Sequence, residues 1–376
     1  MSYIHVDTFE AQRSKRPGEP CGDVILSHRD ANSTVIVLTD GIGSGVRANI
    51  YAHLCASRLM SLIKSGLSIH KAFNIMVDSM NQSWGSDDPF AVFSVIRVLL
   101  NGETTVLSYE IPDPLLISPN TAVILDGKIT TSSKAIIKES HTVLKAGEGI
   151  LLFSDGISQA GLGNGWPLGW ESKGVARYLT SRLMEGAVKN NAVAENVLNH
   201  ALGLWGKKQG DDCSLVHAHC RNGVIVNLLT GPPQDKRNDA AFVSAFLENK
   251  GFKVVCGGTT AKMLARETNK KLEIKEDNNS FLTPAAYRIE GINMVTEGMV
   301  TLNQVYNILD EDLSELDDDS PVYRLCEMLN LADRINIYCG TGVNKDEKHL
   351  MFRQQGLMAR HDIVRLLLEK LTKKGK

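Results

Sequence analysis

The 376-residue chain contains no apolar run approaching the roughly 18 to 20 residues that cross a bilayer as a helix. Its opening, MSYIHVDTFEAQRSKRPGEP, is polar and mixed, unlike a signal peptide. Cysteine is sparse and odd in number, seven at 21, 55, 213, 220, 256, 326 and 339, without CxxC spacing. That argues against a disulfide frame or a zinc site and for reduced thiols, so a cytoplasmic location is expected. An excess of one charge is also missing. The formal net charge is −2, so no overall field recruits nucleic acid or an anionic membrane, and neither is expected as a partner. The ten histidines form no HExxH motif, and His5, His141 and His217 read as ordinary surface or strand residues. No glycine-rich stretch is a P-loop or a GxGxxG turn.

What is present is an ordinary globular balance, 43% apolar and 22% charged, in a chain long enough for two domains. The runs DVILSHR and STVIVLTDG, flanked by turn residues, predict strands. GVRANIYAHLCASRLMSLIKSG changes to helical spacing, with Val46, Ile50 and Leu54 as one apolar stripe and Cys55, Leu59 and Leu62 or Ile63 continuing it. Gly66 is the expected stop, and Ser68 caps a second helix. Asn101-Gly102 predicts a type I′ hairpin, Asp126-Gly127 a second hairpin, and TVLKAGEGILLFSDG a third strand pair. Helices over about 171–187 and 192–206 precede a last strand, DCSLVHAHC. Together these predict an α+β fold, packed antiparallel sheets flanked by helices, rather than a parallel dinucleotide-binding sheet.

After CRNG (220–223) the texture changes. VIVNLLTGPP, FKVVCGGTTA, GINMVTEGMVTL and RINIYCGTGVN are short apolar strands running into Gly/Thr-rich loops. With DAAFVSAFLENKG as a helix between the first two, they predict a C-terminal α/β domain with a parallel sheet. The expected division is 1–224 and 225–376. The acidic DEDLSELDDDS (310–320) and the basic EKLTKKGK read as solvated faces.

Asp23 in CGDVI, Asp40 in LTDG, Asp155 in FSDG and the pair Asp211-Asp212 in GDDCSLV each stand at the edge of a β segment. A single aspartate there is usually a turn or cap residue. Two of these corners follow strongly apolar strands, and the glycine after each lets backbone or ligand approach closely. A set of carboxylates without a histidine pair or a cysteine cluster suits hard cations: Mg²⁺, Mn²⁺ or Ca²⁺.

GD at 22–23, LTDGIGSG at 38–45, FSDGI at 153–157 and GDDCSLV at 210–216 resemble, in order, the motifs of metal-dependent type 2C protein phosphatases, in their bacterial SpoIIE-like branch. The resemblance covers about residues 15–220, and YEIPDPLLIS (109–118) resembles a further segment of that branch. It implies two divalent cations, Mn²⁺ or Mg²⁺, between two sheets. Asp40 would bridge them. Asp23 and the Gly41 carbonyl would hold one, and Asp155 and Asp211 the other. Asp212 would hydrogen-bond nearby. Two such ions clamp a phosphoryl group and turn a bridging water into hydroxide for in-line attack. Arg16 is the phosphate-binding candidate, with Arg13 and Lys15 beside it. Asp87 and Asp88 are either a third metal site or a turn, and Ala91 is not read as functional. Cys213 reads as a small strand residue, and Trp166, Trp170 and Trp205 as core or lid packing.

The resemblance implies a protein serine/threonine phosphatase whose substrate is a phosphorylated regulatory protein. Two rivals stand beside it: a non-catalytic sensor or scaffold with the same fold, and a hydrolase of small phosphate esters. The Gly/Thr loops of the C-terminal half are either tight turns or a site for a small regulatory ligand.

Overall fold

Alternating apolar residues write most of the first two hundred residues as antiparallel strands. The computed structural model describes residues 3–83, 91–132, 135–207, 210–275, 286–311, 320–342 and 356–376. The chain divides into two compact units, Met1–Asn222 and Gly223–Lys376. The first contains, in order, β1 (Ile4–Arg13), β2 (Asp23–Arg29), β3 (Ser33–Gly41), α1 (Gly45–Lys64), α2 (Ile69–Ser83), β4 (Ala91–Leu99) and β5 (Glu103–Tyr109). Then come β6 (Leu115–Ile117), β7 (Ala122–Ile124), β8 (Lys128–Ser132), β9 (Ala135–Val143), β10 (Gly149–Phe153), α3 (Asp155–Ser158), α4 (Glu171–Met184), α5 (Val193–Trp205) and β11 (Cys213–Asn222).

Two antiparallel sheets result, ordered β1-β11-β10-β6-β7 and β2-β3-β4-β5-β9-β8. Inward residues of both form the central core: Val6, Ile150, Leu152 and Val216 from one, Ile36, Leu38, Ile96 and Val106 from the other. The outer face of the larger sheet (Val35, Val37, Val95, Leu107) is covered by Ala52, Leu59, Phe73 and Met76 of α1 and α2. The outer face of the smaller (Leu115, Leu151, Phe153, Leu215) is covered by Val175, Leu179, Val197 and Ala201 of α4 and α5. The layering is helices, sheet, sheet, helices, the α+β class expected.

Several local expectations are overturned. Strand β1, unforeseen because the alternation of Ile4 and Val6 with His5 and Asp7 breaks at Thr8 and Phe9, pairs with β11 along all ten residues. The Asn101-Gly102 loop is not type I′, which needs positive φ at both central residues. Only Gly102 has it (φ 88), and its N–H donates to the Leu99 carbonyl at 2.9 Å, so a type I turn leads into a left-handed glycine. Asp126-Gly127 joins no hairpin: β7 pairs with β6 and β8 with β9, so this corner carries the chain from one sheet to the other. The same holds for TVLKAGEGILLFSDG, whose strands β9 and β10 lie in different sheets.

Helix α1 also turns a different face inward. Val46 and Leu54 are 60% and 63% exposed, and Ile50 is half exposed. The buried face is Gly45, Ala48, Ala52, Cys55, Ala56, Leu59 and Met60. Small side chains win because the helix lies close on β3: the Thr39 hydroxyl donates to the Ala52 carbonyl at 3.1 Å.

The second unit contains β12 (Ile225–Thr230), α6 (Asp239–Glu248), β13 (Phe252–Cys256), α7 (Gly258–Thr268), β14 (Glu273–Lys275), β15 (Ala286–Arg288), β16 (Met294–Thr296), α8 (Met299–Ile308), α9 (Pro321–Leu331), β17 (Arg334–Cys339) and α10 (Arg360–Lys373). Its sheet runs β14-β15-β16-β13-β12-β17, and β16, β13, β12 and β17 are mutually parallel. Helices α6 and α7 cover one face through Phe246 and Leu264, and α8, α9 and α10 the other through Val305, Leu325 and Leu367. No helix among the described residues is long and apolar enough to cross a membrane.

The two faces of α1 predict different costs. Leu59→Ala should destabilise the protein by about 2–5 kcal/mol through cavity formation. Leu54→Ala should change it by less than about 0.5 kcal/mol. Urea unfolding of both variants checks the assignment, and equal losses would contradict it.

Candidate active site

The larger sheet supplies two of the aspartates. Asp23 opens β2 and Asp40 lies near the end of β3, directly opposite each other in the ladder. The smaller sheet supplies the rest. Asp155 follows β10 and starts α3, while Asp211 and Asp212 precede β11, the neighbour of β10. The two loops are tied: Ser154 N–H donates to the Ser214 carbonyl (2.9 Å), and Ser214 N–H to the Ser154 hydroxyl (3.0 Å).

The glycine after each corner aspartate is required by close approach. A Cβ on Gly41 would lie 2.2 Å from the Ala48 carbonyl oxygen, and one on Gly156 would lie 2.0 Å from that of Asp212. Backbone therefore fills the space a side chain would need, which holds each carboxylate at the rim of its sheet.

The carboxylates are brought together. The Asp40 carboxyl donates a hydrogen bond to Asp155, and its charged form is disfavoured first by burial, then by Asp23, Asp155 and Asp211. Asp155 accepts from the Gln159 amide at 2.7 Å, yet burial and the charge of Asp211 raise its pKa. Asp211, the most open of the four, is raised by burial, against the opposing pull of Lys15. Asp23 is 3% exposed. Burial, with repulsion from Asp212 and Asp155, pushes it up to about 7 although the Ser214 and Ser154 hydroxyls favour its charged form. Its Oδ2 is buried without a hydrogen-bond partner. Asp212 turns to the backbone instead, accepting from Lys15 N–H at 2.7 Å.

Arg16 does not join this cluster: its guanidinium pairs with Glu19 at 3.4 Å, on the surface. The cation that reaches the carboxylates is Lys15, 3.9 Å from Asp211. Asp87 and Asp88 lie outside the described residues. Cys213 is buried beside the site, its thiol donating to the Gly156 carbonyl, and Trp205 donates to the same oxygen at 2.9 Å. Trp170 is buried too, whereas Trp166 is exposed. Sequence reasoning missed Lys15 as the near cation, and Ser154, Gln159 and Ser214. Three of these four stand inside or beside the quoted motifs.

A cleft of about 620 Å³ opens beside Asp155, lined by Glu110, Pro112, Asp113, Lys138, Gln159 and Lys173 among others. Part of its wall is the segment YEIPDPLLIS. Among the described residues no histidine is found with the aspartates. His217 and His219, an HxH pair overlooked in the sequence, lie on β11; His217 is buried against the Asn190 carbonyl (3.0 Å). His5 is likewise buried. His70 and His141 share one Glu139 oxygen at 2.7 and 2.8 Å on the surface of the larger sheet.

The Stage II sporulation protein E (SpoIIE) family model matches residues 30–221, just over half of the chain. The chain belongs to the SpoIIE family. No curated protein matches it significantly. Solved structures similar to the chain include the RsbU and RsbW domains of a Mycobacterium tuberculosis protein, 19% identical, with a TM-score of 0.50 over 65% of this chain and 69% of that one. The phosphatase domain of Bacillus subtilis SpoIIE with a fragment of its regulatory domain is 16% identical, with a TM-score of 0.49 over 58% and 63%. RsbX, solved in complex with magnesium, is 16% identical, with a TM-score of 0.40 over 58% and 99%. At these identities the likeness is one of fold. The family match lies within the first unit.

A pH dependence follows for this SpoIIE domain without metal. The folded-state pKa of Asp23 is raised, so between the ordinary carboxylate range and about 7 the folded protein binds more protons than the unfolded one. In chelator, the melting temperature should therefore fall as pH rises from about 5 to about 8. Asp23→Asn should flatten that slope. His217, pulled down to about 4 by burial, acts in the opposite sense, costing stability only as pH falls below the ordinary histidine range. Scanning calorimetry of both proteins across this range checks the sign, and a wild-type melting point rising with pH would contradict it.

Proposed function

We propose that the SpoIIE unit hydrolyses phosphoserine or phosphothreonine on a regulatory protein, using two divalent cations, Mn²⁺ or Mg²⁺, held by Asp23, Asp40, the Gly41 carbonyl, Asp155 and Asp211. The observation that carries this reading is the convergence of four aspartates, all driven toward protonation by burial and mutual repulsion. Such a set calls for counter-charge, and Lys15 supplies little of it from 3.9 Å. The orphaned Asp23 Oδ2 and the all-oxygen donor set suit hard cations.

Bound divalent ions supply Lewis acidity, to the phosphoryl oxygens and to a water nucleophile. The chain's own residues do the rest. Gln159 orients Asp155 by its 2.7 Å hydrogen bond, and Asp212 anchors the Lys15 backbone, which keeps that ammonium near the site. Lys15, rather than the surface-paired Arg16, is the cation placed to meet a phosphate. The cleft beside Asp155, with Lys138 and Lys173 in its wall, offers room for the peptide around a phosphorylated side chain. The seven cysteine thiols form no disulfide, which fits a reducing cytoplasm.

The test is a Mn²⁺-dependent assay on p-nitrophenyl phosphate and on a phosphoserine peptide. Asp40→Asn and Asp155→Asn should each lower the rate on the order of a hundredfold or more. Gln159→Ala, which leaves every proposed ligand in place, should cost about 10- to 100-fold. Equal, metal-independent rates in wild type and both aspartate variants would leave a non-catalytic scaffold. Turnover of p-nitrophenyl phosphate without turnover of any phosphopeptide would point to small phosphate esters.

A further inference from the structure

The second unit places its own charged cavity at one sheet edge. In chain order the four parallel strands lie β16-β13-β12-β17, third, second, first, fourth. The direction of winding reverses between β12 and β17. In such sheets ligands bind outside the carboxyl ends of the strands, and a cavity of about 340 Å³ lies at those ends, over β12, β13 and β16. Thr230 at the end of β12, Gly257 and Gly258 after β13, and Glu297 and Gly298 after β16 line it, with Lys262 and Arg360.

Three features give this cavity an affinity for anions. The N-termini of α7 and α8 both open onto it. The capping residue of each is glycine, Gly257 and Gly298, which has no side chain to satisfy the first-turn N–H groups. The two loops nearly touch, since a Cβ on Gly298 would lie 3.1 Å from the Gly257 Cα. Two helix dipoles therefore present positive ends to one space. Lys262 and the guanidinium of Arg360, a residue only 8% exposed, add fixed positive charge. Finally, Thr230 lines the cavity and is 1% exposed, and its buried hydroxyl has no hydrogen-bond partner. A buried hydroxyl left unmatched is costly, and a ligand oxygen in the cavity would satisfy it.

The lining also includes an acidic residue. Tyr287 donates to Glu297, the residue before Gly298, at 2.8 Å, which fixes a carboxylate beside the cavity. That group repels a second anion but accepts from a hydroxyl.

We propose that this cavity binds a phosphate group, held by the N-termini of α7 and α8, Lys262, Arg360 and the Thr230 hydroxyl. The source is either free phosphate or a small phosphate monoester whose hydroxyl meets Glu297. The proposal does not depend on the activity of the SpoIIE unit.

Calorimetric titration of the full chain in chelator, which keeps metal-assisted phosphate binding at the aspartates out of the measurement, tests it. The probes are inorganic phosphate, adenosine 5′-monophosphate and adenosine. Saturable binding of the phosphate-bearing probes, without binding of adenosine, is expected. Tighter binding of the nucleotide identifies a monoester site, and equal binding identifies a site for free phosphate. Lys262→Glu, on an exposed side chain, should weaken binding at least about tenfold. Thr230→Val should weaken it several-fold while leaving the melting temperature unchanged or higher, because it removes an unmatched buried hydroxyl. Absence of saturable binding by either phosphate-bearing probe overturns the proposal. So does adenosine binding as tightly as its monophosphate, or affinity unaltered in both variants.

Discussion

Four carboxylates forced together at the rims of two sheets cannot all be ionised without counter-charge. Much of the first unit is arranged around that constraint. Asp23 and Asp40 face each other across one ladder, while Asp155 and Asp211 come from neighbouring strands of the other sheet. Nothing in the apolar layers beneath relieves their repulsion, so burial and mutual charge both push them toward protonation. Proteins rarely tolerate such a site unless it binds something positive. The serines, Gln159 and the Lys15 backbone orient the cluster without neutralising it.

The scaffold makes that tension possible because its core is remote from the rim. Interleaved side chains of both sheets, all but inaccessible to water, define the central layer, and each outer face is closed by a pair of long helices. At the rim, packing tightens to backbone distances. The glycines of the Asp40-Gly41 and Asp155-Gly156 corners are small because carbonyls of neighbouring segments occupy the space beyond them.

The second unit solves a complementary problem. Where the first collects negative charge at strand ends, the second collects helix N-termini and basic side chains at the carboxyl edge of a parallel sheet. The contrast follows from topology. Antiparallel hairpins bring aspartate corners of opposite strands together, whereas parallel strands each feed a helix at the same edge and so gather positive dipole ends.

The sequence by itself determined most strands and helices of the first unit and its layered α+β class, the parallel sheet of the second, and which aspartates stand at the edges of β segments. These are legible because they rest on local periodicity and on an ordered set of short motifs. It did not determine which strands pair. The Asp126-Gly127 corner has the composition of a hairpin yet carries the chain between sheets, because β7 and β8 find better partners far away in sequence. Nor did it determine which face of α1 is buried. The larger Val46–Ile50–Leu54 stripe lost to small residues because only they admit the helix close enough to β3 for Thr39 to reach Ala52. Arg16 and Lys15 are adjacent and alike in charge, and only the folded loop decides that Arg16 meets Glu19 while Lys15 meets Asp211. Pairing, facing and charge contact are relations between distant residues. They are settled by competition for burial and hydrogen bonds that no local pattern contains.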